Sequence, residues 1–197
     1  MNTRTRGKDN YFARLSNFSL DALGLIGISS ALLFALYYQL AFGELPCPLC
    51  LLQRACLILV GIGFAMNVNY GVRNTHYACV LVSAVAIGVV AGRQVLLHVV
   101  PGTGSYGATL WGLHFYTWCF IAAVVIILFV AASLALCVDG KRRPSSAKSM
   151  WARFAIGIFV FTIFANLIAT LLECGGGECA SDPVTYKLLS STRADPL

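Results

Sequence analysis

The sequence predicts an all-α integral membrane protein. It reads as a four-transmembrane-helix bundle followed by a fifth transmembrane helix, with the N-terminus cytoplasmic and the C-terminus on the outer side. Three observations carry this. Of 197 residues, 58% are hydrophobic and 11% charged, whereas a soluble domain carries about 25% charged residues. Mean hydropathy is +0.78. The apolar residues gather in five long stretches, and the basic residues fall in alternate connections between them. This composition excludes a disordered chain and argues against an ordinary soluble globule. The net charge of +6 calls for no nucleic-acid partner, because basic loops are how a membrane protein orients itself in the lipid bilayer.

The stretches are Leu20–Phe42, Leu49–Val68, Tyr77–Val90, His114–Val138 and Ala152–Leu172. A spanning helix needs about 20 mostly apolar residues. The third stretch reaches that length only by continuing through Arg93 towards Val99. The first, at about 23 residues, is too long for the 7–15-residue apolar core of a signal peptide and reads as an uncleaved anchor. Before it, Tyr11, Phe12, Leu15 and Phe18 share a helical face, which suits either an interfacial helix or a frayed basic tail.

Arg4, Arg6, Lys8, Arg14, Arg73, Lys141, Arg142, Arg143, Lys148 and Arg153 then lie on one side, taken as the cytoplasm. The other side receives Gly43–Pro48, Val100–Leu113 and the tail from Glu173, with only Lys187 and Arg193 as cations. Trp111, Tyr116 and Trp118 fall where an outer aromatic belt belongs. The resulting divisions are a tail over 1–19, a four-helix core over 20–138, a linker over 139–151, the fifth span over 152–172 and an outer tail over 173–197. The outer loop from Pro101 to Gly112 holds four glycines and reads as mobile or closely moulded to a neighbour.

Eight cysteines divide into two groups. Cys56, Cys79, Cys119 and Cys137 sit within or at the ends of spans and read as small apolar filler. Cys47 and Cys50 form a Cys-Pro-Leu-Cys motif at the start of the second span. Pro48 suits a first helical position, and the helix N-terminus favours a thiolate beside it. Arg54 lies on the same helical face one turn deeper. An arginine inside a span is a functional candidate by default; the alternative is that it snorkels outward beside an inert disulfide. Cys174 and Cys179 flank Gly-Gly-Gly-Glu after the fifth span. They suit a redox pair, a structural staple or half of a metal site. Glu173 and Glu178 would raise neighbouring thiol pKa values by like-charge repulsion.

Four outer-face cysteines in two close pairs form a natural thiol–disulfide relay in a compartment that permits disulfides. Such a relay needs an electron sink, and at a membrane boundary a lipid-soluble quinone fits. There is no haem or flavin motif, and His76 and His98 fall on opposite sides. Rival readings are a thiolate metal-binding membrane protein and a non-catalytic scaffold with structural disulfides.

The run Pro46-Cys47-Pro48-Leu49-Cys50-Leu51-Leu52-Gln53-Arg54 after a first span resembles the disulfide bond formation protein B (DsbB) family. The likeness covers roughly Ile26 to Val138, including Gly92-Arg93 and the run from Gly112 to Trp118. It implies a multi-pass enzyme of the bacterial inner membrane, a protein-disulfide oxidase and quinone reductase. Such an enzyme oxidises a periplasmic thioredoxin-fold protein of the DsbA type and reduces ubiquinone or menaquinone. By motif match Cys50 lies next to the quinone, Cys47 exchanges with the second pair, Arg54 lines the quinone site, and His98 answers to a family histidine. The family's second cysteine pair belongs in the loop between spans three and four. Here that loop has none, so the expectation is that the fifth helix delivers Cys174 and Cys179 to the same outer, periplasmic face. A vitamin K epoxide reductase-like enzyme also shares a four-helix quinone site, but carries its Cys-x-x-Cys late in the bundle rather than after the first span.

Overall fold

A computed structural model describes residues 3–100, 104, 107–136, 149–181 and 183–191, with the backbone alone for 3–19 and 191. The basic run Lys141, Arg142, Arg143 and Lys148, most of the 139–151 linker, Cys137, Pro101, Gly102 and Arg193 lie outside the described residues, as do the side chains of Arg4, Arg6, Lys8 and Arg14.

The chain folds as α1 (Thr3–Ala41), α2 (Pro48–Tyr70), α3 (Asn74–Leu97), β1 (Thr109–Leu110), β2 (Leu113–His114), α4 (Phe115–Leu136), α5 (Met150–Cys174) and α6 (Lys187–Ser191). Five helical segments are long and apolar enough to cross a membrane: Leu20–Ala41, Pro48–Tyr70, Asn74–Leu97, Phe115–Ala135 and Met150–Cys174. The third span is complete. It absorbs Arg93 and Gln94 because Gln94 turns inward, buried, while Arg93 stays at the outer end. The segment Tyr11–Phe18 is no separate element; its backbone continues directly into the first span.

α2 packs on α3, α3 on α4, and α1 on α2. The core between them holds Leu25, Leu32, Val60, Phe64, Val80 and Ile87. Lipid gives no hydrophobic drive between helices, so close approach relies on small residues. Gly63 is such a point: a Cβ there would collide with Val80 and approach the His76 carbonyl. Near the start of the first span, Asp21 is fully buried and receives the Tyr77 hydroxyl at 3.1 and 3.3 Å. Asn67 donates to Asp21 at 3.5 Å and its own oxygen lies 3.0 Å from His76 Nδ1. Polar groups inside a bilayer survive only when satisfied in this way.

α5 docks mainly on α1, and to a lesser extent on α2. Its buried residues Ala152, Ala155, Phe159, Thr162, Asn166, Ala169 and Glu173 follow alternating steps of three and four. Ala22, Leu25, Ser29, Leu32, Leu36 and Gln39 of α1 repeat the same spacing and are buried. Ala22 clusters with Ala152 at one end and Gln39 bonds to Glu173 at the other. The two helices therefore run parallel along a coiled-coil-like seam.

The outer glycine-rich loop closes as a two-residue hairpin, Thr109 opposite His114 and Leu110 opposite Leu113. Trp111 and Gly112 both take positive φ, 51° and 79°, the geometry of the tight hairpin turns that match strand twist. Trp111 stands exposed, as a belt residue should, but Tyr116 is buried and stacks between His98 and His114.

Candidate functional site

Cys47 is the N-cap of α2, with Pro48 at the first helical position. Its sulfur accepts the Cys50 backbone N–H at 3.2 Å, satisfying one of the open donors of a helix start. Gln94 of α3 donates to both sulfurs, at 3.5 Å to Cys47 and 3.6 Å to Cys50. Gln53, a turn below, holds Gln94 in place with a 2.7 Å bond to its carbonyl oxygen. The Cys50 thiol, the Cys50 backbone N–H and Gln94 together pull the Cys47 thiol down to about 6, against the opposing effect of burial. Both are free cysteines.

The two cysteines border different spaces. Cys50, Gln53 and Arg54 line a cavity of about 620 Å³ between α1 and α4. Its long walls are apolar, with Gly24, Ala31, Ala35 and Tyr38 on α1 and Phe115, Cys119 and Phe129 on α4. That volume lies within the ordinary range of about 300–1,000 Å³ for a small-molecule pocket. Cys47 instead lines a smaller depression with Pro48, Leu49, Gln94, His98 and Ser181. Ser181 belongs to the C-terminal tail, two residues past Cys179.

Arg54 does not snorkel outward. Its guanidinium donates to Gln39 Oε1 at 2.6 Å and to the Ala35 carbonyl at 3.2 Å. Gln39 in turn donates to Glu173 at 3.2 Å. Tyr186 of the tail lies within Coulombic range of Arg54.

Cys174 and Cys179 form a disulfide. α5 stops at Cys174 because Gly175 and Gly176 adopt positive φ, 65° and 76°, with the Gly175 N–H closing on the Leu171 carbonyl at 2.9 Å. The chain then doubles back, and Lys187 of α6 packs over Gly175. With these two sulfurs bonded to each other, the four-thiolate metal reading loses half its ligands. Among the described residues no group of three or more His, Cys, Asp or Glu is placed to hold a metal ion.

His98 caps α3. Its Nδ1–H donates to the Gln94 carbonyl at 2.8 Å and its ring stacks on Tyr116 at 5.4 Å. It sits behind Tyr116, which lines the large cavity, and itself borders the smaller depression. The sequence reading passed over Gln39 and Gln94 and gave Gln53 no role. Their signal was available, since a glutamine inside an apolar span almost always faces the protein.

The profile of the family described as Disulfide bond formation protein DsbB matches residues 19–106. Over this stretch the chain is similar to the DsbB family. It is similar to Disulfide bond formation protein B of Pseudomonas syringae pv. tomato, 40% identical over 96 residues, which is 46% of this chain and 56% of that one. It is also similar to Disulfide bond formation protein B of Nitrosomonas eutropha, 36% identical over 108 residues, 50% of this chain and 63% of the other. The chain thus spans little more than half the length of these curated relatives. No solved structure matches it. The DsbB match holds α1 to α3 and the Cys47–Cys50 motif, and ends before α4, short of the Val138 expected from the motifs. Five helices long and apolar enough to cross a membrane make the chain a multi-pass membrane protein by length and composition, and the first three of them carry the likeness to proteins named for disulfide bond formation.

Proposed function

We propose that the chain is a thiol:quinone oxidoreductase which draws electrons from a periplasmic, thioredoxin-fold DsbA-like protein and delivers them to a membrane quinone, ubiquinone or menaquinone. One observation carries the reading. Cys50 and Arg54 share an apolar cavity lined by the spanning helices, while Cys47, three residues away, borders a depression that the C-terminal tail also borders. The motif is split between the apolar cavity and the tail-side depression, as a two-step relay requires.

The chemistry balances in three exchanges. The partner's dithiol reduces Cys174–Cys179 through a mixed disulfide and leaves oxidised. The tail dithiol then reduces a Cys47–Cys50 disulfide and regains its own bond. A quinone supplies a two-electron, two-proton sink for the core pair. Arg54 offers its charge to an electron-rich oxygen, the walls of α1 and α4 take the apolar remainder, and Gln94 holds both sulfurs in register. DsbA sits at about −120 mV and 30 mV is worth about 1.4 kcal/mol in a two-electron couple, so ubiquinone leaves ample driving force and menaquinone less.

The chain divides on this reading into a four-helix core over 20–138, a fifth span over 152–172 and an outer tail over 173–197, with the terminal segment 1–19 and the 139–151 linker inside. The test is steady-state quinone reduction by purified protein with a reduced DsbA-like donor. Arg54→Leu is expected to raise the quinone KM about tenfold or more, the scale of a lost charged hydrogen-bond donor. A scaffold with structural disulfides requires instead that Arg54→Leu change nothing.

A further inference from the structure

Glu173 has no role in the relay just described, yet it is buried at 4% exposure at the outer end of the α1–α5 seam. Its Oε2 accepts the Gln39 side-chain N–H at 3.2 Å. Its Oε1 has no hydrogen-bond partner among the described residues. Gln39, 1% exposed, uses the other end of its amide to accept Arg54 at 2.6 Å. A single primary amide therefore joins a buried carboxylate on α5 to a guanidinium on α2. An amide side chain can flip, and here its two partners fix which way it points. With a carboxylate on one side, the nitrogen must face α5 and the oxygen must face Arg54.

We propose that Glu173 is a positioning residue for the acceptor site. Through Gln39 it holds the Arg54 guanidinium at the cavity, so the helix that carries the tail disulfide also completes the site at which electrons leave. Without Glu173 the amide is held from one side only, by Arg54, its N–H is left without the acceptor on α5, and the Gln39–Arg54 pair loses its anchor. The fifth helix then does more than deliver Cys174: its last seam residue and its first redox residue are neighbours in sequence. The inference rests on the quinone reading of the cavity.

The experiment compares full-length wild type, Glu173→Leu, Glu173→Gln, Gln39→Leu and the Gln39→Leu/Glu173→Leu double variant. It reads kcat and KM for a short-tailed ubiquinone. It also reads equilibrium binding of that quinone by quenching of tryptophan fluorescence, since Trp118 lines the cavity. Glu173→Leu is expected to raise both the dissociation constant and KM about tenfold, which is about 1.4 kcal/mol, with kcat changed less than about threefold. Glu173→Gln, which keeps an acceptor for Gln39, should recover most of the loss. The double variant should be no worse than the worse single variant, because both break one chain of contacts. Gln39→Leu breaks the same chain from the other side should Glu173→Leu fail to fold. Unchanged quinone affinity in Glu173→Leu or Gln39→Leu, or losses that add in the double variant, would overturn the inference. Wild type that binds no quinone at all would overturn the reading of the cavity and this inference with it.

Discussion

Cys47 caps α2, with its sulfur 3.2 Å from the Cys50 backbone N–H. The Cys50 thiol is the largest contributor to its lowered pKa, ahead of the Cys50 backbone N–H and Gln94. The sign is clear. An acid with a lowered pKa is charged above that value and loses its thiolate as pH falls through it, here through about 6. Alkylation of Cys47 by iodoacetamide should therefore stay fast at neutral pH and fall off below about 6. Cys50→Ala should move that midpoint up, and Gln94→Leu should move it up by less. An unshifted profile in Cys50→Ala would contradict the assignment. At this scale the sequence was partly legible. Cys47, Pro48, Cys50 and Arg54 were readable because their spacing in one helix fixes their mutual geometry. Gln94 was not, because it approaches from α3, and a contact across helices has no spacing to read.

The element that departs most from the family frame is α5. Its length and hydropathy were plain in the sequence, and so was the place of Cys174 at its C-terminal end. Its docking was not named, although steps of three and four with small residues at Ala152, Ala155 and Ala169 record it. One contact secures the seam from the side of α2. A Cβ on Gly61 would overlap the ring of Phe159, which is 2% exposed. Gly61→Ala should cost roughly 1–3 kcal/mol, the usual scale of overpacking, and lower the melting temperature in detergent. Phe159→Leu in the same background should restore part of that loss by making room. A Gly61→Ala protein as stable as wild type would mean that α5 does not pack there. The outer hairpin, by contrast, was read only as a glycine-rich loop. Its turn needs positive φ at Trp111, a conformation that a tryptophan does not announce in sequence.

Across the whole molecule, Cys47, Cys50, the Cys174–Cys179 disulfide and the folded-back tail lie at one end of the bundle, and the cavity that Cys50 borders runs from there along α1 as far as Leu20. The five-span plan, the two cysteine pairs and the motif arginine were all legible, since hydropathy and local spacing carry them. The glutamine bridge and the tail's return over Cys47 depend on which helices meet, and so were not. The proposed orientation is tested by fusing alkaline phosphatase, which folds only where disulfides form, to the C-terminus. The fusion should be active in cells, and an inactive but intact fusion would place the tail in the cytoplasm. The central claim is that electrons pass from the tail pair to the core pair and then out through the cavity. It is tested most directly by quinone reduction with a reduced DsbA-like donor in wild type, Cys50→Ala and Cys174→Ala/Cys179→Ala. The relay requires turnover by wild type and failure of both variants. Turnover by the tail variant at the wild-type rate would show that the donor attacks Cys47–Cys50 directly, and the two-pair relay would be wrong.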